Sequence, residues 1–421
     1  MDAFNENSNE QQAQQPMGCL HRFSKTIKVV IIGLLILLLM IPMFMIENLI
    51  SERGRTQEEA IDEVSEKWSL AQTITGPYLN LQYPVVTENN GEKKVSIKDL
   101  ILFPDELMVN GQLKTEILKR SIYEVNVYQS ELTLKGSFSS EELKKSRIDM
   151  EQLQFDRAAI CLNLTDMRGI SEQISITFGD SVYVFEPGMD NRGIGATGVH
   201  AITDLSDLKK NKKLPYEIKI KLKGSQSINF IPLGKTTRVD LKANWNTPSF
   251  IGNYLPNNRE ITEKEFSAQW QGLNLNRNYS QVLVNYNNTN IKDIENSSFG
   301  VNFKIPVEQY QQSMRSAKYA ILIILLTFGV IFFTEIMNKT RIHALQYLLV
   351  GLALCLFYSL LLSFSEHIGF NPAYLLSAAL TIILVGGYML GITKKKKPSL
   401  IMSGLLSVLY LYIFVLIQLE T

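Results

Sequence analysis

The apolar residues of this chain are gathered into five long runs, and that segregation limits the fold more than any other feature. The runs are Val29–Ile46, Tyr319–Met337, Ala344–Phe364, Pro372–Ile392 and Leu400–Leu419. Each approaches or reaches the roughly 17–25 residues that a bilayer core of about 30 Å requires. Backbone donors and acceptors at that depth must be paired within the segment, so the runs read as helices. One such run could be a buried helix of a soluble domain, but four crowded into the last hundred or so residues argue for a membrane bundle.

The first run reads as an uncleaved anchor. It is long for the apolar part of a signal peptide, and Glu47-Asn48-Leu49-Ile50 follows it instead of a small-x-small cleavage site. Cys19 precedes the run, so it is no lipobox cysteine. Basic residues near the spans set the orientation. Arg22, Lys25, Lys28, Lys339, Arg341 and Lys394 to Lys397 fall on one side if the N-terminus is cytoplasmic, whereas the other side has Arg53, Arg55, Arg315 and Lys318 near span ends and the loop Ser365–Asn371 carries none. The expected plan is therefore a disordered tail over 1–26, a first span over 27–47, an exported domain over 48–317 and a bundle over 318–421. The bundle spans are expected near 319–337, 344–364, 372–392 and 400–419. The last span stops at Thr421 without a basic flank, so either the C-terminus is external or a further helix is missing.

Between the first and second spans the pattern changes. Ile50, Ala60, Ile61, Val64 and Trp68 recur at near-helical spacing, which predicts an amphipathic helix continuing from the anchor and ending at Gly76-Pro77. Period-two alternation follows. It runs through Tyr123, Val125 and Val127, through Leu132, Leu134 and Phe138 after a break, through Ile174, Ile176 and Phe178, through Ile218, Ile220 and Leu222, and through Val301, Phe303 and Ile305. Such alternation predicts half-buried, mostly antiparallel strands, hence a β-rich exported domain, a sandwich of one or two units. Lys219, Lys221 and Lys223 make a solvated face or guard an edge, the rival reading being a binding stripe.

Chemistry-bearing motifs are sparse. A net charge of +1 gives no ground for a nucleic-acid partner. Three scattered cysteines form no disulfide framework, and four dispersed histidines make zinc a poor prospect, so no metal or cofactor is expected. Gly193–Gly198 matches GxGxxG, but EPGMDNR separates it from the preceding strand and no convincing helix follows, so it reads as a glycine-rich loop. Asp166 and Arg168 could form an ion pair, and nothing groups a nucleophile with a base, so no catalytic residue is proposed. Trp245 and Trp270 read as core residues or interface anchors. In the bundle, Glu335, His343 and Gln346 form either a polar latch between the second and third spans or separate solvated helix ends. Glu366 and His367 form a possible polar pair at the opposite boundary. Gly386, Gly387 and Gly391 predict close helix packing.

Several long blocks closely resemble the CreD family of bacterial inner-membrane proteins. They are KYAILIILLTFGVIFFTEIM and RIHALQYLLVGLALCLFYSLLLSFSEHIGF in the bundle, and SELTLKGSF, DMRGI and NTPSFIGNYLPNNREITEKEFSAQW outside it. The resemblance implies an inner-membrane protein of a Gram-negative bacterium, with the large domain in the periplasm. It implies a role in cell-envelope integrity, expression under an envelope- or nutrient-responsive two-component system, and a link to colicin tolerance. It supplies no catalytic residues, and it implies a further hydrophobic segment beyond Thr421. The resulting expectation is a non-enzymatic protein that works in envelope integrity or stress response by binding an envelope protein or glycan. The alternatives are a transporter, channel or export accessory subunit, and a periplasmic stress sensor.

Overall fold

The computed structural model describes residues 17–419, apart from 90–91, 147, 190–192, 211–212, 285, 287, 304–307 and 339–340. The chain forms two compact units, Gln57–Pro306 and the pair of segments Met1–Thr56 and Val307–Thr421. Helix α1 (Met17–Trp68) runs for 52 residues with Pro42 inside it. It begins within the stretch expected to be a disordered tail; residues 1–16 of that stretch lie outside the described residues. It also ends earlier than expected, at Trp68, because Leu70 N–H leaves the helical pattern and donates to Asp166 Oδ2 at 2.9 Å. Gly76-Pro77 lies instead inside the first strand, at a break in its pairing, where proline's missing N–H is tolerated.

The strands of the first unit begin with β1 (Gln72–Asn89), β2 (Glu92–Leu102), β3 (Glu106–Arg120), β4 (Tyr123–Phe138) and β5 (Ala158–Leu164). They continue through β6 (Ser175–Phe178), β7 (Ser181–Val184), β8 (Glu186–Pro187), β9 (Gly198–Thr203), β10 (Leu214–Ser225) and β11 (Ser227–Phe230). The last are β12 (Thr236–Ala243), β13 (Ser249–Gly252), β14 (Asn258–Ile261), β15 (Phe266–Leu273), β16 (Val282–Val284) and β17 (Phe299–Asn302). Short helices α2 (Glu141–Lys145), α3 (Ser206–Lys209) and α4 (Asn288–Asn296) interrupt them.

Two sheets result. One has the order β13-β17-β11-β1-β5-β9-β8, with β2 on β1 and β16 on β2; the other has the order β14-β15-β12-β3-β4-β10-β6-β7. Pairing is antiparallel except for β1 with β11 and β3 with β12. Leu79, Leu81 and Ile160 of the first sheet and Val109, Leu134 and Ile218 of the second belong to one continuous core between them. Trp270 is fully buried in it, and Trp245 packs at its margin with its ring edge-on to Phe303.

The break in β4 has a physical cause. Asn126 to Tyr128 are buried on both faces, and there the inward-facing set changes phase. Asn126 Nδ2 donates to Phe303 O at 3.0 Å across that point. The lysine-faced strand β10 is interior, paired to both β4 and β6, so its lysines line a solvated face and guard no edge. Ile305 lies outside the described residues.

The second unit adds α5 (Glu308–Lys318), α6 (Ala320–Asn338), α7 (Ala344–Ile368), α8 (Phe370–Thr393) and α9 (Lys396–Leu419) to the first part of α1. Among the described residues five helices, α1 and α6 to α9, are long and apolar enough to cross a membrane. On α1 the residues Leu39, Met43, Ile46 and Ile50 are buried, a narrow seam at steps of four and three, while Val30, Leu34, Leu37, Ile41, Phe44 and Met45 stay exposed. Gly351 of α7 receives that seam: a Cβ there would strike Leu39 and Phe328. Of the three glycines expected to mark close packing, only Gly386 does so, against Ser403 of α9; Gly387 and Gly391 have open space.

Candidate functional site

The polar groups of the membrane unit are arranged differently from the expected latch. Lys28 of α1 forms an ion pair with Glu335 of α6, and its Nζ also donates to Ile342 O at 2.8 Å. Tyr347 of α7 donates to Glu335 Oε2 at 3.1 Å, and Lys28 sits over its ring. His343 and Gln346 turn instead to the start of α7. His343 Nδ1 accepts from Leu345 N at 3.3 Å and Gln346 Oε1 accepts from His343 N at 2.9 Å, a reciprocal cap of the helix N-terminus. Glu335 therefore latches α1 and α7, while the other two residues satisfy their own helix. At the other end of α7, Glu366 accepts from Tyr310 of α5 at 3.0 Å and lies 3.9 Å from Arg53 of α1. His367 is exposed, and Glu366 is met by Arg53 and Tyr310. Sequence reasoning missed Lys28 and Arg53 because their partners are remote in the chain, and it missed Tyr347, whose partner Glu335 lies twelve positions away on the preceding helix.

In the β-rich unit the strongest polar cluster closes the end of α1. Asp166 takes both Arg168 Nε and Nη2 at 2.9 Å, and it also accepts from Leu70 N and, at 3.3 Å, from Ser69 Oγ. Arg168 Nη1 in turn donates to Glu66 O at 2.6 Å, one of the carbonyls left unpaired at a helix C-terminus. Gln72 Nε2 adds a bond to Asp166 O at 2.8 Å. Burial alone raises the Asp166 pKa, but the guanidinium and the two backbone N–H groups overcome it and hold the carboxyl at about 2. Every one of these contacts fixes structure. The glycine-rich loop is likewise held in place: Tyr78 accepts from Ile194 N at 2.8 Å and donates to Asn163 Oδ1 at 2.6 Å, while Asn163 Nδ2 donates to Thr197 O at 2.8 Å. His200 bonds the Gly188 carbonyl through Nδ1 at 2.7 Å and is buried.

A surface suited to binding remains on the second sheet. Its inward positions fill the core, and on β15, β12, β3 and β4 two neighbouring cross-strand rows of outward positions are polar. Gln269, Asp240, Asn110 and Thr133 face one another across β15, β12, β3 and β4. Ser267, Lys242, Gln112 and Glu131 form the adjacent row on the same strands. Neighbouring strands lie about 4.8 Å apart, so each row presents a hydrogen-bonding group at that interval. The two rows line a shallow cavity of about 350 Å3. Within it Asp240 Oδ1 is buried and has no hydrogen-bond partner in the protein. The polar lining side chains are amides, hydroxyls, two carboxylates and one ammonium, and Gly111, Leu241 and Ala268 complete the lining. Such a set recognises hydroxyl and amide groups better than apolar or strongly charged ones.

A family profile described as "Inner membrane protein CreD" matches residues 24–421 of the chain. The inner membrane protein CreD of Escherichia coli (strain K12) is 32% identical over 363 residues, covering 85% of this chain and 79% of the relative.

Proposed function

The chain belongs to the CreD family of inner membrane proteins, and we propose that it supports cell-envelope integrity or the envelope stress response by binding an envelope component through its β-rich domain. The observation that carries this reading is the polar face of the second sheet, with its paired rows and its buried, unpartnered Asp240 oxygen. A ligand bearing hydroxyl and amide groups, as glycans and peptide crosslinks do, would satisfy those groups. The role is a binding one without cofactor or catalysis: the buried polar residues Asp166, His200 and Asn163 are engaged in holding loops and a helix end. The β-rich domain is periplasmic and the N-terminus cytoplasmic in this reading. Lys28, Arg341 and Lys394 to Lys397 support that orientation, because they flank helix ends that the charge rule assigns to one side. Lys396 and Lys397 open α9, where the helix dipole disfavours cations, so membrane topology accounts for them better than helix stability does.

The test is complementation in a bacterium that lacks its own copy. A chain carrying Gln112→Ala, Lys242→Ala and Gln269→Ala should accumulate normally in the membrane and fail to restore resistance to detergent and bile salt. Full restoration by that variant would remove the polar face from the function.

A further inference from the structure

Inside the bundle, two tyrosine hydroxyls have nowhere to go. Tyr358 of α7 and Tyr410 of α9 are 1% and 2% exposed, and neither hydroxyl has a hydrogen-bond partner in the protein. Their rings flank Phe357 at 4.8 and 4.5 Å between centroids. Tyr374 of α8 joins the group, donating to Tyr410 O at 2.9 Å. Counted along the helices, Tyr358 lies about 15 Å from Ile368 and Tyr410 about 14 Å from Leu419, so both stand at one depth near mid-span. Ser377 of α8 is also buried and unpartnered, but a serine can turn back to its own helix. A tyrosine hydroxyl sits at the end of a rigid ring and cannot. Burial in an apolar medium without a partner is costly, so buried hydroxyls are met by protein or by ordered water.

The end of the bundle at which α7 finishes carries a second polar feature. Helix α5 packs on α7, α8 and α9, and the side it buries includes Gln312, Ser313 and Ser316. Ser313 Oγ and Ser316 Oγ likewise have no partner in the protein. An amphipathic helix seated on an apolar bundle ordinarily buries its apolar side. Here the buried side is partly polar, which fits a helix closing a wet space.

We propose that the bundle encloses a small hydrated site in which water bridges the Tyr358 and Tyr410 hydroxyls, with α5 closing its end. The test uses the full chain in membrane vesicles, with Cys19, Cys161 and Cys355 replaced by alanine. Ser377→Cys is compared with Val385→Cys, a fully buried position two turns further along α8. A small cationic thiosulfonate reacts with thiolate, which forms only where water reaches, so Ser377→Cys should label at least about tenfold faster than Val385→Cys. Equal or slower labelling overturns the proposal. Should Ser377→Cys fail to accumulate, the pair Tyr358→Phe and Tyr410→Phe decides. A lowered melting temperature supports a water bridge, and an unchanged or raised one contradicts it, because deleting a dry, unpaired hydroxyl costs nothing.

Discussion

The two sheets of the β-rich unit are built from similar strands, but they are covered differently. The sheet containing β1 and β5 is buried on both faces at its centre. Beyond the shared core, Tyr78, Ile101, Phe103 and Cys161 pack against Met189, Ile194, Tyr279 and Ile294 in a second apolar cluster. All seven residues of β5 are buried as a result. Apart from Asn126 to Tyr128 of β4, the sheet containing β3 and β12 is covered on one face, and its other face carries the polar rows. In the proposed function the half-covered sheet offers the recognition surface, and the doubly covered sheet backs it through the shared core.

This contrast predicts very unequal responses to truncation. Phe103→Ala, at the centre of the second cluster and 1% exposed, should cost about 3–5 kcal/mol in urea unfolding, since a large ring is lost from a packed site. A cost below about 1 kcal/mol would mean that the second cluster is loosely packed. Asp166→Ala should cost about 2–4 kcal/mol, because Arg168 and the Leu70 N–H lose their acceptor together. The same carboxyl gives a pH signature. Its folded pKa of about 2 lies below the unfolded value, so its stabilisation is complete above about pH 4 and is lost as pH falls toward 2. Asp166→Asn should flatten that acid limb; an unchanged limb would place the acid sensitivity elsewhere.

In the membrane unit, Gly351→Leu should destabilise by about 1–3 kcal/mol by pushing Leu39 of α1 away, read as lower thermal stability in detergent. Gly387→Leu, facing open space on α8, should change little, and reversal of that order would contradict the seam. At the small end of the scale, Gln112→Ala and Gln269→Ala on the polar face should each stay within about 0.5 kcal/mol of the parent, as exposed substitutions do.

How much of this was legible in the sequence follows the same division. One-sided strands announce themselves: β6 and β10 alternate because one face is wet, and the five apolar helices stand out by length alone. Doubly covered β5 reads AAICLNL, with no period to detect, and it is set by a loop and helix that arrive later in the chain. Cross-strand rows could not be read either, because they depend on the parallel pairing of β3 with β12 across more than a hundred residues. The same holds for Lys28, whose partner Glu335 lies 307 positions away. The cap made by His343 and Gln346 is local, yet its spacing alone did not separate it from an interhelical latch.

In-cell photocrosslinking tests the proposed binding most directly. A photoreactive residue at Gln112, on the polar face, is compared with one at Val182, exposed on β7 and away from the two polar rows. The account predicts that Gln112 repeatedly captures one envelope component, protein or glycan, that Val182 does not. Recovery of lipids alone, or the same products from both positions, would contradict it.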